Sequence, residues 1–368
     1  MQVFPDSIET EEGKKVFMTC TIISIPPPHF IKWSRSQQSL PPTRSHVRGV
    51  NLTLENVTKQ DTGSYVCTAK NIWGTISSST HLKVHSALKF TVKPPLNVTV
   101  KANEVLTLPC SAASDLKLSW MFDGIESLPP YARIDSSNNL IVSSVNFTHG
   151  GDYTCRVTNA LNSIQTSVTV YVKYPETCAK VKTDISDISG DYFIDPDGVL
   201  GEDPFPVYCN MTDKGSVGVT VISHDSEDRI HVNGSESDGS YRCDIHYNGS
   251  SLSQIKGLIE VSNSCQQFIK YECHNAAMRL GRISWWVSRD GEKKKYWGGA
   301  TDGCACNVTS TCPTQEWPCN CDANDDVWRE DSGFLTIKSD LPVTQLRFGD
   351  TGRAYEEGYH TLGKLECY

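Results

Sequence analysis

Asp61-Thr62-Gly63-Ser64-Tyr65-Val66-Cys67 and, further along, Gly151-Asp152-Tyr153-Thr154-Cys155 are the two stretches whose reading decides the fold. Both end in Tyr-x-Cys, and each is preceded by another cysteine and a tryptophan: Cys20 and Trp33 before the first, Cys110 and Trp120 before the second. A bridge crossing two facing sheets needs cysteines on inward positions of both, and an indole fills the space beside it. A tyrosine two residues before the second cysteine can turn its hydroxyl back to the backbone and pin the corner. Asn51-Leu52-Thr53-Leu54 and Leu140-Ile141-Val142, lying between the marks, read as strands. The pattern occurs twice in the first ~170 residues, and an internal repeat of that kind sets the architecture.

These residues resemble the immunoglobulin superfamily, in particular its intermediate-type sets, and Asn71-Ile72-Trp73-Gly74 resembles that family's last hairpin. The resemblance implies one β-sandwich over residues 1–85 and another over 86–173. Two positions depart from the pattern. His149 stands where the first copy has Asp61, and Asn162 where it has Gly74, a place that asparagine tolerates in left-handed backbone. The joints Val84-His85-Ser86-Ala87 and Lys173-Tyr174-Pro175-Glu176 are short, which limits hinge freedom.

The chain has 368 residues, 38% of them hydrophobic and 21% charged, a composition for packed domains rather than disorder. Fifteen cysteines call for an oxidising compartment. Eight Asn-x-Ser/Thr sequons, at Asn51, Asn56, Asn97, Asn146, Asn210, Asn233, Asn248 and Asn307, point the same way. The sequence therefore predicts an extracellular glycoprotein, secreted or a cell-surface ectodomain. It shows no membrane-spanning segment, and Met1-Gln2-Val3-Phe4-Pro5-Asp6 lacks the basic start and apolar core of a secretory signal, as expected of a mature form or fragment. Lys+Arg minus Asp+Glu gives +3 for residues 1–85, +1 for 86–173 and −13 for 174–368, together the −9 of the whole. Such a C-terminal part repels nucleic acid and anionic lipid; it could attract cations, or its acidity could serve solubility alone.

Residues 174–368 hold eleven of the cysteines. The spacing Cys304-x-Cys306, Cys312, Cys319-x-Cys321 invites a zinc reading, but structural zinc sites favour Cys-x2-Cys pairs, and an oxidising context pairs such thiols first. Gly190-Asp191-Tyr192-Phe193-Ile194-Asp195-Pro196-Asp197-Gly198 and Phe205-Pro206-Val207-Tyr208-Cys209-Asn210-Met211 resemble the opening of fibrinogen-like domains and of the collagen C-propeptide. Cys265-Gln266-Gln267, Ser284-Trp285-Trp286-Val287, Tyr296-Trp297-Gly298-Gly299, Leu341-Pro342-Val343-Thr344 and Leu365-Glu366-Cys367-Tyr368 narrow the likeness to the fibrinogen-like module of contactin-associated proteins. The chain is thus expected to be mainly β, two immunoglobulin-like β-sandwiches followed by an α+β, disulfide-rich fibrinogen-like domain. These resemblances imply the pairs Cys20–Cys67, Cys110–Cys155 and Cys178–Cys209, and, by analogy to the collagen propeptide, Cys273–Cys367. Cys243 has no counterpart in the module and is either a free thiol or an interchain bridge.

Catalysis needs a nucleophile with its base, or paired carboxylates in a pocket. The sequence carries no His-Glu-x-x-His, no Gly-x-Ser-x-Gly and no phosphate-binding glycine loop, so a non-enzymatic protein without an organic cofactor is expected. Trp285, Trp286, Trp297, Trp317 and Trp328 could line a sugar site or plug a core, and Lys293-Lys294-Lys295 reads as a solvated loop with a faint heparin-contact character. Structural calcium is the better prospect. Asp195, Asp197 and Asp203 share one loop, and a hard cation takes carboxylates together with turn carbonyls. The propeptide resemblance implies those side chains with the carbonyls of Gly198 and Leu200. Asp322-Ala323-Asn324-Asp325-Asp326 is a second acidic loop whose spacing departs from that of fibrinogen domains. The expected function is adhesion or recognition of extracellular protein or glycan ligands at a cell surface or in matrix. The alternative is a structural part of a matrix, a calcified one included, in which the acidic domain meets calcium or mineral.

Overall fold

A computed structural model describes every residue except Gln37, Gln315 and Trp317, and the chain divides into two compact units, Met1–Val172 and Lys173–Tyr368. It is mainly β, with short helices and disulfides throughout.

In the first unit, residues 1–85 form a sandwich of two four-stranded sheets. One sheet runs Gln2–Phe4, Val16–Thr21, Asn51–Leu54, Ser45–Arg48; the other runs Ser7–Glu11, Gly74–His85, Gly63–Asn71, Phe30–Arg35. Inward and outward residues alternate along Val16–Thr21, so Val16, Met18 and Cys20 face Leu82, Tyr65 and Cys67. Cys20–Cys67 crosses the core beside Trp33, which is the register partner of Cys67 and donates its Nε1 proton to the Val50 carbonyl at 3.1 Å. The Tyr65 hydroxyl donates to the Asp61 carbonyl at 2.9 Å and pins the corner. The second sandwich repeats the device: Cys110–Cys155 beside Trp120, and the Tyr153 hydroxyl on the His149 carbonyl at 2.9 Å.

The missing corner aspartate of the second copy has a structural replacement. Asp61 is buried and held by Arg44 at 2.5 and 3.1 Å and by the Thr58 amide. Burial pushes its carboxyl up, and Arg44 and Thr58 together outweigh that and hold it below the usual range. His149 caps the same turn with a ring nitrogen, accepting from the Asn146 amide at 3.2 Å, and stacks on Tyr131 with ring centres 3.8 Å apart. It needs no counter-cation because burial lowers its pKa and keeps it neutral.

The second unit is built on a seven-stranded sheet whose centre is the antiparallel pair Cys265–His274 and Glu357–Cys367. A smaller four-stranded sheet carries Tyr241–Asp244, Gln345–Phe348, Trp285–Val287 and Lys293–Lys294. The helix Leu252–Val261 starts at a Ser251/Gln254 capping box and buries Ile255, Leu258 and Ile259, a stripe at helical spacing. Trp286 and Trp297 are fully buried, their Nε1 atoms donating to the Tyr296 and Asp331 carbonyls at 2.7 and 3.0 Å.

Five disulfides tie this unit: Cys178–Cys209, Cys265–Cys367, Cys273–Cys321, Cys304–Cys319 and Cys306–Cys312. They correct the expected pairing of Cys273 with Cys367. Those residues lie at opposite ends of the central strand pair, where Cys367 is opposite Cys265 and Cys273 is opposite Gly358. Eight residues of strand separate Cys265 from Cys273, roughly 27 Å at 3.4 Å per residue, far beyond the reach of a disulfide. Cys273 turns instead to Cys321, with Cα atoms 5.8 Å apart. The Cys304, Cys306, Cys312, Cys319 and Cys321 sulfurs are all spent in disulfides, which leaves no thiolate there for a metal.

Candidate recognition surface and calcium loop

Two loops of the first sandwich carry a concentration of exposed apolar side chains at one end. Ile22-Ile23-Ser24-Ile25-Pro26-Pro27-Pro28-His29 joins the strand Val16–Thr21 to Phe30–Arg35, and Asn71-Ile72-Trp73-Gly74 joins Gly63–Asn71 to Gly74–His85. Ile25 is 94% exposed and Trp73 80%, with Ile23 and Ile72 also projecting into solvent. The projection is built by Asn71. Its Oδ1 accepts from the Trp73 and Gly74 amides at 2.9 and 3.1 Å, closing the turn under Ile72 and Trp73. Its Nδ2 donates to the Pro26 carbonyl at 3.2 Å and so ties the two loops together. Between them lies a cavity of 320 Å³ lined by Trp73, Ile76, Pro28 and Lys70 among others. Residues 22–30 and 69–76 contain no aspartate or glutamate.

The second sandwich has the same asparagine in the same turn, and spends it differently. Asn159 Oδ1 accepts from the Leu161 and Asn162 amides, both at 2.8 Å. Its Nδ2 donates to Glu11 Oε1 and to the Ser86 carbonyl at 2.8 and 2.9 Å, so this turn is engaged by Glu11 of the first sandwich and by the joint. Lys59–Asp115 and Ser86–Asp115, each at 2.5 Å, complete that joint. Among the described residues, the first copy's turn takes no hydrogen bond from the other sandwich. The sequence singled out this hairpin for its shape and missed it as a binding surface. The signal was there: a Trp and three Ile residues on two connections, where a strand pattern offers nothing to bury them.

In the second unit, Asp195 is 2% exposed, whereas Asp197 and Asp203 lie at the surface. Asp195 Oδ1 accepts from the Gly198 amide at 3.0 Å, and Asp197 Oδ2 from the Glu202 amide at 2.9 Å. Burial, and then the neighbouring Asp197 carboxylate, push the Asp195 pKa up to about 6. The structure thus brings Asp195 and Asp197 together as a strained like-charge pair. The Asp203 carboxylate does not close on them to make a trio within 4.8 Å; its backbone carbonyl accepts from Gln254 at 2.8 Å. A buried carboxylate beside another one fits a hard cation that would neutralise both, while the Gly198 carbonyl expected to join them accepts from the Gly201 amide at 2.8 Å. In the second acidic loop Asp325 is engaged by Arg329 at 2.6 Å and Asp326 by His274 at 2.9 Å, whereas Asp322 accepts from the Arg279 amide at 2.6 Å through Oδ1 and its buried Oδ2 has no hydrogen-bond partner among the described residues.

The remaining candidates separate by environment. Trp285 lies under Lys293, whose Nζ is 3.5 Å from the ring centre, and Trp328 is half exposed beside His274 and Tyr359. Trp317 lies outside the described residues. Lys294 is paired with Glu292 and Asp340 at 2.7 and 2.9 Å. Cys243, half-buried, places Sγ 3.4 Å from the Ser226 hydroxyl and forms no disulfide within the chain; burial pushes its thiol pKa up. Among the described residues, no helix is long and apolar enough to cross a membrane.

Residues 1–71 and 89–159 match the immunoglobulin domain family, one match in each sandwich of the first unit. The chain is similar to contactin-associated protein 1 of Rattus norvegicus, 36% identical over 202 residues that make up 53% of this chain and 14% of that protein. It is similar to neurexin-4 of Drosophila melanogaster, 37% identical over 187 residues, 47% of this chain and again 14% of the relative. The chain therefore spans about one seventh of the length of the curated relatives it matches. Among solved structures it is similar to extracellular domains 3–5 of Drosophila OTK, at 22% identity and a TM-score of 0.39, covering 45% of this chain and 59% of that one.

Proposed function

We propose that this chain is the recognition portion of an extracellular adhesion glycoprotein, and that it binds a protein ligand through the loop end of its first immunoglobulin domain. The observation that carries the reading is the pair of loops pinned by Asn71, which hold Ile23, Ile25, Ile72 and Trp73 outward. Soluble domains seldom leave so much contiguous apolar surface uncovered without a partner, and an exposed tryptophan amid aliphatics is the residue type that anchors interfaces. The name of one relative, contactin-associated protein 1, is a reason to weigh a protein ligand before a glycan. Seven disulfides suit the same compartment.

The second unit supports this role as a fibrinogen-like module stiffened by calcium at Asp195 and Asp197. Residues 174–368 number 195 of 368, the same 53% share that the contactin-associated relative covers. The decisive experiment displays the chain as a soluble fusion to a panel of cell types and measures saturable binding. Trp73→Ser with Ile72→Ser should reduce binding at least tenfold while leaving the melting temperature of the first unit unchanged, because neither side chain enters the core. Undiminished binding by that variant would place recognition elsewhere. Protease treatment of the cells should abolish binding, and loss on glycosidase treatment instead would make the ligand a glycan.

A further inference from the structure

The outer face of the first sheet also carries uncovered aromatic rings, and a sequon stands among them. Period-two alternation turns Phe4, Phe17, Thr19, Asn51 and Thr53 to the same outward side. Ladder register sets them side by side: Phe4 opposite Thr19, Thr19 opposite Asn51, and Phe17 opposite Thr53. Phe4 is 67% exposed and Phe17 61%, on a face whose other residues are polar. A groove of 510 Å³ runs over this face, lined by Phe17, Thr19, Asn51, Thr53, His46 and Arg48, within the ~300–1,000 Å³ range of ligand sites.

We propose that an N-linked glycan on Asn51 is the occupant of this groove, its first sugars lying on Phe17 and Phe4 as part of the folded domain. The inference rests on the extracellular reading above. Asn51-Leu52-Thr53 is an acceptor sequon, and the Thr19 hydroxyl donates to Asn51 Oδ1 at 2.9 Å, which fixes the amide. The Nδ2 atom has no hydrogen-bond partner among the described residues and is the atom that would be modified. Transfer joins the anomeric carbon of a lipid-diphosphate-linked oligosaccharide to Nδ2; the amide loses a proton and the lipid diphosphate leaves. The apolar C–H face of the first sugar then covers ring surface, while Thr53, His46 and Arg48 offer donors and acceptors for its hydroxyls. Lys15, with Nζ 5.3 Å from the Phe17 ring centre and 2.7 Å from Glu55, borders the groove. At two other sequons the asparagine is already engaged. Asn210 is half-buried, with its carbonyl oxygen accepting from Thr212 and Asp213, and Asn146 is engaged as a turn cap through Thr148. The glycan would withdraw this sheet face from protein docking and leave the loop end as the open surface.

The test uses the full chain secreted from animal cells. Glycopeptide mass spectrometry should find Asn51 modified. Melting of the first unit is then followed for the parent, Phe17→Ala, Asn51→Gln and the double variant. Phe17→Ala should lower the transition by several degrees when the glycan is present and change it little in the Asn51→Gln background, where the largely exposed ring is left beside Lys15. Trimming the folded glycoprotein enzymatically to its first sugar should keep most of that difference. If Asn51→Gln is not secreted, Thr53→Ala removes the same sequon. An unmodified Asn51 beside other occupied sequons, or equal effects of Phe17→Ala in both backgrounds, overturns the proposal. Sugar on none of the eight sequons would instead overturn the extracellular reading on which it rests.

Discussion

At the scale of single residues, Asp195 is where charge and burial conflict most openly. Its pKa, raised to about 6 by burial and by Asp197, means that folding favours its protonated form. An acid whose folded pKa exceeds its unfolded value stabilises the fold below the unfolded pKa, near 4, and loses that stabilisation as pH rises through the folded pKa. Without calcium, the second unit should lose melting temperature between about pH 4 and pH 7. Asp195→Asn should flatten that slope. At neutral pH, calcium should raise the transition by several degrees, because an ion bound only by the native state adds RT ln(1 + [L]/Kd), about 2.7 kcal/mol at a hundredfold excess. Asp195→Asn with Asp197→Asn should erase most of the response, while Asp325→Asn with Asp326→Asn keeps it. Equal calcium responses in the parent and the Asp195/Asp197 variant would reduce the loop to a solvated turn. The contrast of Asp61 with His149 belongs to this scale too. One turn is capped by a buried anion with its arginine, the other by a neutral imidazole on a tyrosine ring, so the missing aspartate costs the second domain no corner.

Among elements, the central strands Cys265–His274 and Glu357–Cys367 decide the covalent frame of the second unit. Their register seats Cys265 on Cys367 and leaves Cys273 to the turn Asn320–Ala323, which carries Cys321. Peptide mapping under non-reducing conditions should recover Cys273 linked to Cys321 and Cys265 linked to Cys367. Replacing Cys273 and Cys321 together by alanine should cost roughly 2–5 kcal/mol of stability in that unit, the usual cost of deleting a native bridge. Recovery of a Cys273–Cys367 peptide would refute the register itself. The sandwich pairs were legible because the two cysteines, tryptophan and tyrosine of each copy resemble the immunoglobulin pattern, which implies the pairing that the structure shows. Eleven cysteines on a mixed sheet with long loops leave many, and neither sheet order nor register is written in local sequence.

On the scale of the whole molecule, the chain divides between Val172 and Lys173 into two compact units, and each has its own core and bridges. Cys20→Ala with Cys67→Ala should therefore lower the melting of the first unit and leave that of the second unmoved in calorimetry. A shift in both transitions would show that they fold as one. What the sequence by itself determined is the repeat: period-two strands, the bridge-and-indole core and the tyrosine corner. Each of these follows from residues close in the chain whose side-chain direction the backbone period dictates. The acidic loop was legible too, as a composition, though not the division of labour within it. Only tertiary structure decided that Asp195 is buried against Asp197 while Asp203 stays apart, since burial depends on what packs over a loop. It alone decided which of two matching asparagine turns is free. Asn71 and Asn159 read alike in sequence, but Glu11 of the first sandwich and Ser86 of the joint hold the second turn, and among the described residues no hydrogen bond reaches Asn71 from outside its own sandwich. Contacts between residues far apart in the chain carry no local signature, so the open loop end of the first sandwich became visible only in three dimensions.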